Sequence, residues 1–158
     1  MSRAFTREDG SEGAIADIGE RPVSHHRNLV TAQGLAAIDA MVAQLREDLA
    51  KAESAADRER IATLSRDLRY WNARRETAEL SVPEPGSKVV RFGMTVTIEA
   101  EDGKRKSWKI VGEDEADAAS GSVSHVSPMA MALFGKRVGD VAAVSGKEWE
   151  IVSISAEP

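Results

Sequence analysis

The run Leu35-Ala36-Ala37-Ile38-Asp39-Ala40-Met41-Val42-Ala43-Gln44-Leu45-Arg46-Glu47-Asp48-Leu49-Ala50-Lys51-Ala52 and the run Ile61-Ala62-Thr63-Leu64-Ser65-Arg66-Asp67-Leu68-Arg69-Tyr70-Trp71 decide the fold. In the first, Leu35, Ile38, Val42, Leu45, Leu49 and Ala52 alternate at intervals of three and four, the spacing of one helix face. Ile61, Leu64, Leu68 and Trp71 repeat it. Extended, the first series reaches Ala56, Glu59 and Thr63, so the two series cannot share one face of one helix. A chain that folds back within residues 53–59 buries the two stripes against each other as an antiparallel hairpin. One continuous helix with a stutter is the alternative that the spacing leaves. Each arm of the hairpin holds roughly 22 residues and is about 33 Å long.

Working outward, Thr31 is placed to cap the first arm, and Gly34 is a weak spot early in it. Glu47 and Lys51 are set for an i,i+4 pair. Ser54 or Asp57 can cap the second arm, which runs to about Leu80. Residues 1–29 mix charge with Gly, Ser and Pro, and are expected to be a disordered tail. Ile15 and Ile18 are its candidates for a small docking element. Residues 30–80 form the hairpin and 81–87, with two prolines and a glycine, a linker.

Over 88–158 the period changes. Strands are expected at 89–92, 95–101, 107–111 and 122–126, with Asp102-Gly103 as a turn and Val96, Ile98, Trp108 and Ile110 facing one core. Ser127-Pro128 opens a short helix that stops at Gly135, and 141–144 with 149–154 close a hairpin around Gly146. The fold class is α+β: a helical hairpin, then an antiparallel sheet domain with one short helix.

Composition excludes several classes. A net charge of -5 argues against autonomous nucleic-acid binding. The absence of cysteine removes disulfides and thiolate zinc sites and suits a reducing compartment. No apolar run approaches the ~18 residues of a membrane span, and the N-terminus lacks the apolar core of a signal peptide. A cytoplasmic monomer with no membrane partner is expected.

Enzyme signatures are missing, and the chain is expected not to be an enzyme. No phosphate loop or nucleophile elbow occurs. His25 and His26 lie in the tail, and His125 reads as a structural or surface residue. Glu113, Asp114, Glu115 and Asp117 read as a solvated acidic loop. Glu53, Asp57 and Glu59 at the hairpin tip either cap the second helix or present carboxylates to a Mg²⁺ held elsewhere. Arg66 and Arg69 share a face near Tyr70 that either is solvated or touches RNA or an acidic partner.

Four runs of the C-terminal part stand out in order: Val90-Arg91-Phe92-Gly93, Ile110-Val111-Gly112-Glu113-Asp114-Glu115-Ala116-Asp117, Val126-Ser127-Pro128-Met129-Ala130-Met131-Ala132-Leu133 and Gly135-Lys136-Arg137-Val138-Gly139-Asp140. In order and spacing they resemble the Gre family (GreA/GreB) of bacterial transcription elongation factors. Met1-Ser2-Arg3-Ala4-Phe5 and Leu68-Arg69-Tyr70 are similar to the GreB branch, and Leu29-Val30-Thr31 with Gly34-Leu35 to the start of the family's first coil helix. The resemblance implies a coiled coil followed by an FKBP-like domain. It implies binding to bacterial RNA polymerase through the secondary channel, with nucleic acid met only inside the transcription complex. Ser127, Pro128 and Met129 would be the polymerase-binding residues. The family's acidic tip motif, which helps hold Mg²⁺ in the polymerase active site during transcript cleavage, is absent, and the coil is shorter. The expected function is therefore a polymerase-binding elongation regulator without that motif, with no cofactor of its own. The alternatives are a cleavage-stimulating factor using the tip acids and sharing Mg²⁺ with the polymerase, and a prolyl isomerase using an aromatic pocket drawn from Phe92, Trp108, Phe134 and Trp149.

Overall fold

The computed structural model describes residues 19–156. They divide into two compact units, residues 19–25 with Ala36–Thr77, and His26–Leu35 with residues 78–156. Ile15, Ile18 and the opening Met1-Ser2-Arg3-Ala4-Phe5 lie outside the described residues.

The first unit is built on two helices, α1 (Ala32–Ser54) and α2 (Arg58–Thr77). Ile38, Val42, Leu45 and Ala52 are buried, and Leu35 and Leu49 are half-buried, so the stripe of α1 is the face turned inward. Each large apolar side chain buried this way stabilises by about 1.5–3 kcal/mol. Ile61, Leu64, Leu68 and Trp71 of α2 are half-buried. Arg75 Nε donates to Asp39 Oδ1 at 2.6 Å, which sets the end of α2 beside the start of α1 and fixes the hairpin as antiparallel.

The reversal takes only Ala55, Ala56 and Asp57. Asp57 N–H donates to Ala52 O at 3.0 Å and Ala56 N–H to Glu53 O at 3.1 Å, the paired bonds that end a helix on a left-handed residue. That residue is Ala56, at φ 52°, where glycine is the usual occupant. Asp57 then starts α2: its Oδ1 accepts from Arg60 N–H at 3.2 Å and its carbonyl from Ile61 N–H at 2.9 Å. Of the two expected caps, Asp57 is the one used.

In the second unit, β1 (Leu29–Val30) and β2 (Glu79–Leu80) pair in parallel, Leu29 opposite Glu79. The second arm, expected to reach Leu80, stops at Thr77 because Glu79 N–H donates to Asn28 O and Ser81 N–H to Val30 O, drawing the chain into extended form. The main sheet has the order β5-β4-β3-β7-β6, with β3 (Thr95–Ala100), β4 (Arg105–Val111), β5 (Ser122–Ser124), β6 (Val141–Val144) and β7 (Lys147–Ser155). The sheet is antiparallel except at its edge, where β5 runs parallel to β4. The strand expected at 89–92 does not form. Val90 exchanges hydrogen bonds with Gly135 and Lys136, and the chain then turns at once through Gly93, φ 84°.

The core gathers Val90, Phe92, Val96, Ile98, Ile110, Trp149 and Ile151 under α3 (Pro128–Leu133), with Trp108 packed against them. The alternation read for Val96, Ile98, Trp108 and Ile110 is the one observed. β6 and β7 turn through Ser145 and Gly146, both at positive φ, the geometry of a two-residue hairpin loop.

Candidate functional site

Three surfaces carry the side chains expected to act. The first is α3. Ser127 Oγ accepts from Ala130 N–H at 3.2 Å and Pro128 occupies the first turn, so the Ser-Pro pair forms a stiff helix start. Ala130 and Leu133 point into the core and Met129 packs against it. Pro128 is exposed, and so is Met131, at 65%. Of the expected docking residues, Ser127 is therefore a half-buried cap, Met129 is a partial core residue, and Pro128 faces out. Met131 is the outward apolar side chain that sequence reasoning left out of the site. Its signal was there: with Ala130 and Leu133 three apart facing inward, position 131 falls on the opposite face. Val138 and Val141, on the segment that returns beside α3, are also largely exposed.

The second surface is the hairpin tip. Glu53, Asp57 and Glu59 are all exposed. Glu53 lies in the last turn of α1, Glu59 in the first turn of α2, and Asp57 is committed to the cap between them. Among the described residues no three side chains of His, Asp or Glu converge to hold a metal ion. The donors are hard oxygens of the kind Mg²⁺ prefers, but they do not form a ligand set, and no chemistry is routed through them.

The third surface is the arginine-rich face of α2, and here two expectations change. Residues 19–29 were expected to belong to a disordered tail. Instead, Arg69 Nη2 lies 2.7 Å from Glu20 Oε1, and Arg21 Nη1 lies 3.5 Å from Asp67 Oδ1. The Arg21 guanidinium sits 3.9 Å from the centre of the Tyr70 ring. Arg27 pairs with Glu79 at 3.1 Å. The sequence gives no sign of these contacts, because they join single charged residues far apart and leave no periodic signal. Hydrogen bonding to Arg69 holds the Glu20 carboxyl below its ordinary value and raises the Arg69 guanidinium. Arg66 bonds to its neighbour Asp67 at 3.1 Å. Farther along α2, Arg74 is 1% exposed, so this arginine is buried and lies off the solvent-facing side of the helix.

The loop read as solvated acid is built by its acids. Glu115 Oε2 accepts from Thr31 N–H and Gly112 N–H, each at 3.0 Å, and Oε1 accepts from the Thr31 hydroxyl. Asp117 caps the short turn at Ala118–Ser120. His125 is buried with its ring edge-on to Phe92, a structural role. Phe92 and Trp149 are buried in the core, while Trp108 and Phe134 pack against it, so the candidate pocket aromatics are core residues.

The family model described as "Transcription elongation factor, GreA/GreB, C-term" matches residues 84–156, the stretch that holds the main sheet and α3. A transcription elongation factor GreA of Bradyrhizobium is 40% identical over 110 residues, 66% of each chain. The chain belongs to the GreA/GreB family. Among other relatives, the GreA of Methylobacterium nodulans is 55% identical over 75 residues, 44% of this chain and 47% of that protein. The chain spans about half the length of the first curated GreA relatives it matches, 47% and 52%. The GreA factor homolog 1 (Gfh1) of Thermus thermophilus is 21% identical, with 82% of this chain and 99% of that one covered at a TM-score of 0.40. The Gre assignment rests on the family match and the curated relatives. Among the described residues no helix is long and apolar enough to cross a membrane.

Proposed function

We propose that this Gre-family chain binds bacterial RNA polymerase and regulates elongation from the secondary channel without stimulating transcript cleavage. The observation that carries the reading is the tip. Asp57, its central carboxylate, caps α2 and completes the end of α1, so it is spent on turning the chain. Two-metal chemistry tolerates little misplacement, since about 1 Å can cost on the order of a hundredfold. A carboxylate fixed by its own helix is a poor candidate for completing a metal site in another protein. Docking would fall to the α3 surface, where Pro128 and Met131 are presented on a capped, core-anchored helix.

The second reading, cleavage stimulation with shared Mg²⁺, is favoured only by the exposure of Glu53 and Glu59. Backtracked elongation complexes with Mg²⁺ decide between them. Binding with unchanged RNA length is the expected result. Transcript shortening that disappears in Asp57→Asn with Glu59→Gln would overturn it, and asparagine keeps the cap intact.

A further inference from the structure

The segment 19–23 meets α2 through charged side chains. Glu20 meets Arg69, and Arg21 meets both Asp67 and the Tyr70 ring. Its one apolar side chain besides proline, Val23, is 40% exposed. A segment held by core packing would bury its valine; this one leaves it substantially exposed. Exposed ion pairs are individually weak, and a tethered segment reforms them at high effective concentration. Such a contact closes readily and opens readily. The residues that follow are fastened separately, Arg27 to Glu79 and β1 to β2.

What the segment covers is the part of α2 best suited to an acidic partner. Arg69 is occupied by a carboxylate, and the Tyr70 face by a guanidinium. Asp67, bonded to Arg66 in the same patch, disfavours a phosphate backbone and favours a protein surface of mixed but mainly acidic charge.

We propose that residues 19–23 are a built-in cover over the Arg66, Arg69 and Tyr70 face of α2, and that the cover must lift before this face engages an acidic surface of the polymerase. The proposal rests on the polymerase-binding reading above. If the cover is closed for roughly 80–90% of the time, the apparent affinity of the covered face is reduced about five- to tenfold.

The test uses the full chain with Glu20→Lys and, separately, Arg21→Glu. Two readouts are taken: amide hydrogen exchange over residues 19–24, and affinity for core polymerase, measured both free of nucleic acid and with RNA bound. Both variants are expected to speed exchange and to tighten binding about five- to tenfold. Because they change net charge in opposite directions, tightening by both is not a charge effect. Unchanged exchange overturns the cover. Faster exchange with equal or weaker binding overturns masking but leaves the polymerase reading in place. Tightening seen only with RNA present transfers the face to nucleic acid and overturns the protein-surface assignment. Absence of binding by parent and variants alike refutes the polymerase reading, and the proposal falls with it.

Discussion

The Glu115 carboxylate holds Thr31 at two points, one oxygen on the backbone N–H at 3.0 Å and the other on the hydroxyl. The same hydroxyl accepts from Gly34 N–H at 3.0 Å and so caps α1. A residue read as solvated charge thus secures the first turn of a helix 84 positions away. Replacing Glu115 by Gln removes the charge and turns one acceptor into a donor, which must face either the two N–H groups on Oε2 or the Thr31 hydroxyl that now donates to Oε1. The expected cost is about 1–3 kcal/mol, read as a lower urea midpoint. Thr31→Ser, which keeps the hydroxyl, should cost less than about 1 kcal/mol. A Glu115→Gln midpoint equal to that of the parent would show that the contact contributes nothing.

Gly34 tests the same contact from the other side. Ordinary helix propensity says Gly34→Ala gains about 1 kcal/mol. A Cβ here would lie 2.1 Å from Glu115 Cδ, and that carboxylate is tied by its hydrogen bonds. The substitution should therefore destabilise, by about 1–3 kcal/mol. In a Glu115→Ala background the sign should reverse. A double-mutant cycle that shows simple additivity would disprove the coupling.

At the tip, Ala56 holds a left-handed φ of 52° without glycine. Ala56→Gly should raise stability by about 1 kcal/mol, visible as a higher Tm. Asp57→Ala should lower it by about the same amount, while Asp57→Asn should not. A loss on Ala56→Gly would mean that the strain is illusory.

The exposed pairs predict an acid dependence. Hydrogen bonding to Arg27 lowers the Glu79 carboxyl below its ordinary 4.5, and Arg69 does the same for Glu20. A lowered carboxylate stabilises the folded chain above its unfolded value, and that contribution fades as pH falls through the folded one. The stability difference between the parent and Glu79→Gln should be flat from about pH 7 to 5 and shrink below about 4.5. About 0.5 M salt should shrink it at any pH. A difference that grows on acidification would contradict the sign.

Met131 is expected to serve binding and not stability. With the side chain 65% exposed, Met131→Asp should shift stability by no more than about 0.5 kcal/mol. The same change should weaken core-polymerase binding at least tenfold, since an apolar contact becomes a buried charge at an interface. Undiminished binding would remove α3 from the docking surface.

Periodic features were legible in the sequence, and solitary contacts were not. The stripe from Leu35 to Ala52, the phase break before Ile61 and the alternation through Val96 and Ile98 each repeat a spacing that only one geometry satisfies. The Ser127-Pro128 start and the Gly146 turn are local, and they read correctly for that reason. Glu20 with Arg69, and Glu115 with Thr31, each join one residue to one distant residue, so neither leaves a pattern. The strand expected at 89–92 failed because Val90 is bonded to the loop around Gly135, and β5 runs parallel to its neighbour although strand patterning carries no direction.

The parallel pairing of Leu29–Val30 with Glu79–Leu80 gives the chain an inserted-module topology. The strand that leads out and the strand that leads back are neighbours, so the stretch Ala36–Thr77 is inserted into the sequence of the second unit between them. Equal lengths added to both helices, or removed from them, would leave the seam's register and that splice point unchanged. The length of the hairpin is thus decoupled from the design of the sheet domain.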